Sequence, residues 1–166
     1  DLPRRQGGRP AVPLLIFTSL FINHISSIMS PIVVKAMLIV RNGEKLLFSR
    51  GYDKLKKQPF LRPLGGHVEF GERGEETIRR EMQEELGCGV KDAKFLSVIE
   101  NLFTYNGTHG HEIVLVYEGR LTDKSFYKKE TFTFLEGNRK TEAGWFSKED
   151  VERESIPVYP LFRYFT

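Results

Sequence analysis

Glu81, Glu84 and Glu85 stand at i, i+3 and i+4 in the segment EETIRREMQEEL, residues 75–86. On a helix those offsets place three carboxylates on one side, about one turn apart. Like charges that close repel by a few tenths of a kcal/mol per pair on an exposed helix. Something of opposite sign must offset the repulsion. Hard divalent cations prefer carboxylate oxygen, and Mg²⁺ typically takes one or two carboxylates together with substrate phosphates. The cluster therefore suits a site of two or three metal ions that bridges a polyphosphate. Glutamates on a helix are most often a solvated face, with Arg79 and Arg80 forming i,i+4 pairs to Gln83 and Glu84. What weighs against that reading is the full spacing, which begins ahead of the helix. Gly65-Gly66 can turn the backbone through positive φ and expose a carbonyl to a cation. Glu72 can pair with Arg80 in the two-pronged manner of a guanidinium and so fix the loop to the helix.

These residues need elements to hold them. Ile78, Met82 and Leu86 recur every four residues and form an apolar stripe, and Gly87 is a natural helix stop, so a helix is expected over 75–86. Residues 32–40, IVVKAMLIV, read as a buried strand. Asn42-Gly43 signals a hairpin, with 44–50 returning. Residues 51–66 show no period and read as a loop, and 67–70 as a short strand. Further strands are expected over 95–103, 111–121, 131–135 and 143–147, and a short helix over 148–154. Strands outnumber helices in mixed order, which predicts an α/β sandwich around a mixed β-sheet.

Composition sets the outer limits. The 166 residues suit one domain, 40% are apolar, and a single cysteine, Cys88, excludes an internal disulfide and fits a reducing compartment such as the cytoplasm. Cys88 at a helix end reads as core, not as a nucleophile. A net charge of +3 gives no case for nucleic acid. Charge is unevenly placed, however. Arg50, Lys54, Lys56, Lys57 and Arg62 precede a Glu-rich stretch over 69–85, an arrangement able to hold an anion beside bound cations. Residues 1–28 match none of this chemistry. Arg4, Arg5 and Arg9 precede a short apolar run over 11–22, the shape of a signal peptide, but the run is too short for an ordinary membrane span. A leader outside the fold is expected over 1–28, with the domain over 29–166. An extra packed element and a targeting signal are the alternatives.

The full spacing resembles the Nudix box, G-x5-E-x7-R-E-U-x-E-E-x-G-U, where U is a bulky aliphatic residue. Gly66, Glu72, Arg80-Glu81, Met82, Glu84-Glu85 and Gly87 fill it in order, with Cys88 at the final U as a small departure. Pro63-Leu64 ahead of the glycines is another, since many members place Pro next to Gly-Gly. All seven fixed residues are present, a coincidence of roughly 10⁻⁸ per start position at average residue usage. The resemblance implies a Nudix hydrolase, a Mg²⁺- or Mn²⁺-dependent enzyme that cleaves a nucleoside diphosphate linked to another group. The linked group would make a nucleoside triphosphate, a nucleotide sugar such as ADP-ribose, or a dinucleoside polyphosphate.

It also implies that Glu81, Glu84 and Glu85 are metal ligands, that Gly66 adds its carbonyl, and that Glu72 and Arg80 hold loop to helix. The metal ions would align an attacking water, with a carboxylate taking its proton. Members often add a carboxylate from outside the box. Glu112 is the first choice here, then Glu142, Glu118 and Glu136. Tyr105, seventeen residues past Cys88, resembles a tyrosine of the members that cut dinucleoside polyphosphates, where the ring would stack on a base. Phe103, Tyr105 and Tyr117 serve equally well as core aromatics. Arg62, the basic residue closest to Gly66, is the candidate for phosphate not held by metal, and His67 a further one. The expected partner is a small nucleotide diphosphate, with no nucleic acid and no membrane, and a homodimer stays open. A non-catalytic nucleotide-sensing module is the alternative, with a hydrolase of capped RNA ends behind it.

Overall fold

The computed structural model describes residues 31–160 and 163–165. The leader expected over 1–28 lies outside the described residues. The order of elements is β1 (Val33–Asn42), β2 (Lys45–Asp53), β3 (Gln58–Arg62), β4 (Leu64–His67), α1 (Gly74–Leu86), β5 (Val90–Tyr105), β6 (Thr108–Leu121), a 3₁₀ turn (Lys124–Lys128), β7 (Thr131–Glu136), β8 (Arg139–Phe146) and α2 (Lys148–Glu154). The strands run β5-β6-β1-β2-β8-β7, with β3 added to β2 and β4 to β1. The β1–β6 pair is parallel and the other pairs are antiparallel, so the sheet is mixed, as expected.

β1 is buried on both faces, which is why its sequence is almost continuously apolar. Ala36, Leu38 and Val40 face one cluster with Ile78 and Met82 of α1. Met37 and Ile39 face a second with Phe48, Leu61, Val114 and Phe146. The stripe on α1 thus meets one face of β1, while the other face meets β2, β3 and β8. Gly87 closes α1 in the left-handed region at φ 62°, and the N–H groups of Gly87 and Cys88 return to the carbonyls of Gln83 and Met82.

The stretch 51–66 corrects the expected loop. It holds the end of β2, all of β3 and most of β4. Pro59 and Pro63 hide these strands from a pattern search, yet Pro59 sits opposite Tyr52 on a short strand added beside β2, where the missing N–H is tolerated. The expected strand over 67–70 reduces to His67, and Phe70 is fully exposed. Gly65 explains why β4 can lie against β1. Its φ is +139°, and a Cβ there would sit 2.2 Å from the Ala36 carbonyl oxygen. Gly65→Ala is therefore expected to lower the melting temperature markedly, whereas Gly43→Ala, also at positive φ but open to solvent, is expected to cost much less. Thermal unfolding of the two variants checks this, and equal losses would contradict the close-approach argument.

Candidate active site

The loop before α1 is built around Glu72. Its carboxylate accepts from Arg80 Nε at 2.9 Å and Nη2 at 3.0 Å, from Thr77 Oγ1 at 2.8 Å and from the Glu69 N–H at 3.2 Å. The Arg80 guanidinium beside it holds the Glu72 carboxyl at about 2, well below the usual carboxylate range. The same guanidinium donates to Glu81 at 2.8 Å, to Glu84 at 3.3 Å and to the His67 carbonyl at 2.9 Å. The expected Glu72–Arg80 tie is present. His67 contributes its backbone to it, while the residue itself is exposed.

Gly66 lies directly against Glu81. A Cβ on Gly66 would stand 2.0 Å from Glu81 Oε1, so a side chain there would push the Glu81 carboxylate from its place. Glu84 is largely exposed. Glu85 is the anomaly. Its Oε2 is buried and has no hydrogen-bond partner. Burial pushes the Glu85 carboxyl up to about 8, Glu136, Glu81 and Glu84 push the same way, and Arg62 opposes. Among the described residues no three His, Cys, Asp or Glu side chains converge as metal ligands. Arg80 holds Glu81 and Glu84. The donor chemistry nevertheless fits a hard dication: an orphaned buried carboxylate oxygen, neighbouring carboxylates that repel it, and a cradle at Gly66 that a Cβ would fill.

A cavity of about 700 Å³ opens on the other face of β1. Lys35 and Met37 of β1, Phe60 and Arg62 of β3, and Tyr105 and Glu136 are among its lining residues. Arg62 forms an ion pair with Glu136, whose other oxygen accepts from Thr141 at 3.4 Å. The Arg62–Glu136 pair thus lies on the cavity wall within electrostatic reach of Glu85. Tyr105 meets Phe60 edge-on, with ring centroids 5.8 Å apart.

Glu112, expected first as the extra ligand, is engaged elsewhere. It pairs with Lys35 at 2.7 Å and accepts from Asn101 at 3.2 Å. In register, Gly66 and Leu115 both oppose Ala36, so Glu112 is two strands and three residues from Gly66. That is about 14 Å between backbone positions, given strand spacings near 4.8 Å and rises near 3.3 Å. Glu118 pairs with Arg41, Glu142 is exposed, and neither lines the cavity. Glu136, the last choice from sequence, is the one near Glu85.

Sequence reasoning missed Lys35, Asn101 and Asp53. Asp53 is buried where the β2–β3 turn meets the β5–β6 turn, and accepts from the N–H groups of Leu55, Lys56 and Asn106. A lysine inside the apolar run IVVKAMLIV was an available signal for Lys35.

The state of Glu85 yields a prediction for the metal-free protein. Below about pH 4.5 the carboxyl is protonated folded or unfolded and gives no difference. As pH rises, the unfolded chain ionises first, so stability falls until about pH 8. Glu85→Gln removes that loss. In chelator at pH 8 the variant is expected to outlast the wild type in urea, with the gap closing at pH 4. A wild type as stable as Glu85→Gln at pH 8 would contradict the buried, unpartnered carboxylate.

Comparison with known proteins agrees with this architecture. The family model described as "NUDIX domain" matches residues 30–165. Among solved structures, a NUDIX hydrolase from Nitrosomonas europaea superposes with a TM-score of 0.54 at 16% identity, covering 75% of this chain and 78% of its own. A MutT NUDIX hydrolase from Burkholderia pseudomallei gives 0.54 at 23% identity, covering 82% and 94%. A structure described as an ADP compounds hydrolase gives 0.51 at 19% identity, covering 74% of this chain and 60% of its own. At these identities the likeness speaks for the fold, and the family model, matching most of the chain, shows that this protein belongs to the NUDIX family.

Proposed function

We propose that this NUDIX-family hydrolase is a divalent-cation-dependent pyrophosphohydrolase that cleaves a nucleoside diphosphate linked to a further group. The observation that carries the reading is Glu85: a buried carboxylate oxygen without a partner, crowded by carboxylates of like charge. Ionised, such a carboxylate is costly unless a cation completes it, and without one it keeps its proton up to about pH 8. Glu81, Glu84, Glu85 and the Gly66 carbonyl would hold Mg²⁺ or Mn²⁺. Bound there, the cation supplies positive charge against the phosphates and the departing oxygen.

The remaining work falls to side chains. Glu136, at the cavity wall near Glu85, takes a proton from the attacking water. This role falls to Glu136 in preference to Glu112 because Glu136 acts electrostatically on Glu85, whereas Glu112 is about 14 Å from Gly66 in strand register. Arg62 meets Glu136 through Nη2 and leaves the rest of its fork to the phosphates, with Arg50 and Lys56 lining the same cavity. The fork of Arg62 suits a phosphate better than an ammonium does. Tyr105 and Phe60 offer aromatic surface to a base, whose stacking contributes about 1–3 kcal/mol in single-strand binders. Cys88 is buried among core residues and takes no part. No described helix is long and apolar enough to cross a membrane, and a reducing cytoplasmic setting suits the lone thiol.

Chromatographic analysis of the products formed from a panel of nucleoside triphosphates, nucleotide sugars and dinucleoside polyphosphates tests the proposal. Activity is expected with Mg²⁺ or Mn²⁺ and none in chelator. Glu85→Gln is expected to lower kcat at least about a hundredfold, the usual cost of a preorganised electrostatic group. Glu136→Gln is expected to lower kcat by about 10²–10⁴-fold, the range for general acid–base groups, and more than Glu112→Gln does. Full activity in chelator, or a near-normal Glu85→Gln enzyme, would sink the metal assignment.

A further inference from the structure

The cavity is not uniformly cationic. Deep on its β-sheet wall, three adjacent strands each present one polar side chain. They are Asn101 of β5, Glu112 directly opposite it on β6, and Lys35 of β1. Lys35 Nζ meets Glu112 Oε1 at 2.7 Å, and Asn101 Nδ2 meets Glu112 Oε2 at 3.2 Å. The ion pair is largely shielded from solvent, with side-chain exposures of 15% and 10%. Its neighbours on the same faces of β1 and β6 are Met37 and Val114, both core residues. A pair buried among apolar neighbours is a weak source of stability, since an apolar pair of similar volume often does as well. Its chemistry is also wrong for phosphate, because Glu112 cancels the charge of Lys35 and repels an anion. The cluster keeps unused capacity. An ammonium carries three donors and a carboxylate about four acceptor sites, and only some are occupied by the contacts named.

We propose that Lys35 and Glu112, steadied by Asn101, form a specificity site that reads the hydrogen-bonding edge of a neutral heterocyclic base. The inference rests on the substrate reading above and deepens it. The phosphates lie toward Arg62 and the helix carboxylates. The base lies between the aromatic rings and the strand wall, with its edge on the ion pair. A donor set beside an acceptor set complements a base edge that carries an acceptor beside a donor. Guanine does so with O6 beside N1–H, and adenine with N1 beside its 6-amine. A purine without exocyclic groups offers ring acceptors alone. It brings no donor to the acceptor sites of Glu112 that Lys35 and Asn101 leave open, and a site built to hydrogen-bond a ligand's N–H discriminates against an analogue lacking it.

Calorimetric binding in Mg²⁺ tests this without turnover. The probes are guanosine diphosphate, adenosine diphosphate and the diphosphate of unsubstituted purine riboside. Wild type is expected to bind at least one of the first two at least about tenfold more tightly than the third, and the preferred one identifies the edge that is read. In the double variant Lys35→Met/Glu112→Leu, an apolar replacement of the pair, that ratio is expected to fall below about threefold. Glu112→Gln provides the same readout with minimal change of volume, should the double variant fail to fold. A wild type without discrimination, or binding none of the probes, overturns the inference. So does a folded variant that keeps the wild-type ratio. Loss of Mg²⁺-dependent hydrolysis with discrimination intact would instead strike the hydrolase reading alone.

Discussion

One guanidinium organises the candidate active site. Arg80 has five N–H donors and meets five acceptors: both oxygens of Glu72, one each of Glu81 and Glu84, and the His67 carbonyl. Loop, helix and strand β4 therefore share one rigid donor plane. A lysine would offer three donors on a flexible stem and could not hold the same set. The Arg80 side chain is about three-quarters shielded from solvent, and its pKa is raised above the ordinary value by Glu72 first and Glu81 after it. Its charge is thus a permanent part of the fold. With Glu81 and Glu84 held by Arg80, Glu85 is left as the buried carboxylate without a partner. Arg80 thus keeps acidic side chains close together that would otherwise repel, and leaves one of them short of positive charge.

β1 relates this cluster to the cavity. Its alternation sends Ala36 and Leu38 toward α1 and Lys35 and Met37 toward the cavity. Gly66 opposes Ala36 on one side of β1, and Val114 opposes Lys35 on the other. Arg62 at the end of β3 and Glu136 at the end of β7 line the cavity and also act on Glu85, and so link the two. Acidic groups collect beside the helix around Arg80, while a charge-balanced pair and aromatic rings line the space between the strands.

Much of this was legible in the sequence because it rests on local periodicity. The spacing of Glu81, Glu84 and Glu85, the apolar stripe of Ile78 and Met82, and the Gly87 stop all lie within one helix. The i+8 pairing of Glu72 with Arg80 is nearly as local. The stretch 51–66 was not legible. Its strands are short and interrupted by proline, and they exist because β2 and β1 offer open edges, which is tertiary information. The position of Glu136 near Glu85 depends on the β7–β8 hairpin crossing toward α1, and sequence distance could rank it only last. Lys35 was visible as a charge within an apolar run, but its partner Glu112 comes from a strand 77 residues later that pairs in parallel with β1. Residues 1–28, read as a leader, lie outside the described residues.

Glu85 is the proposed anchor of the cation. A crystal structure of the protein soaked with Mn²⁺ and a non-hydrolysable nucleotide analogue tests it most directly, through anomalous scattering from the metal. The account predicts Mn²⁺ bound by Glu85 Oε2 with Glu81 and the Gly66 carbonyl, and Arg80 still holding Glu72. Manganese bound elsewhere, with Glu85 unliganded beside an occupied cavity, would contradict it.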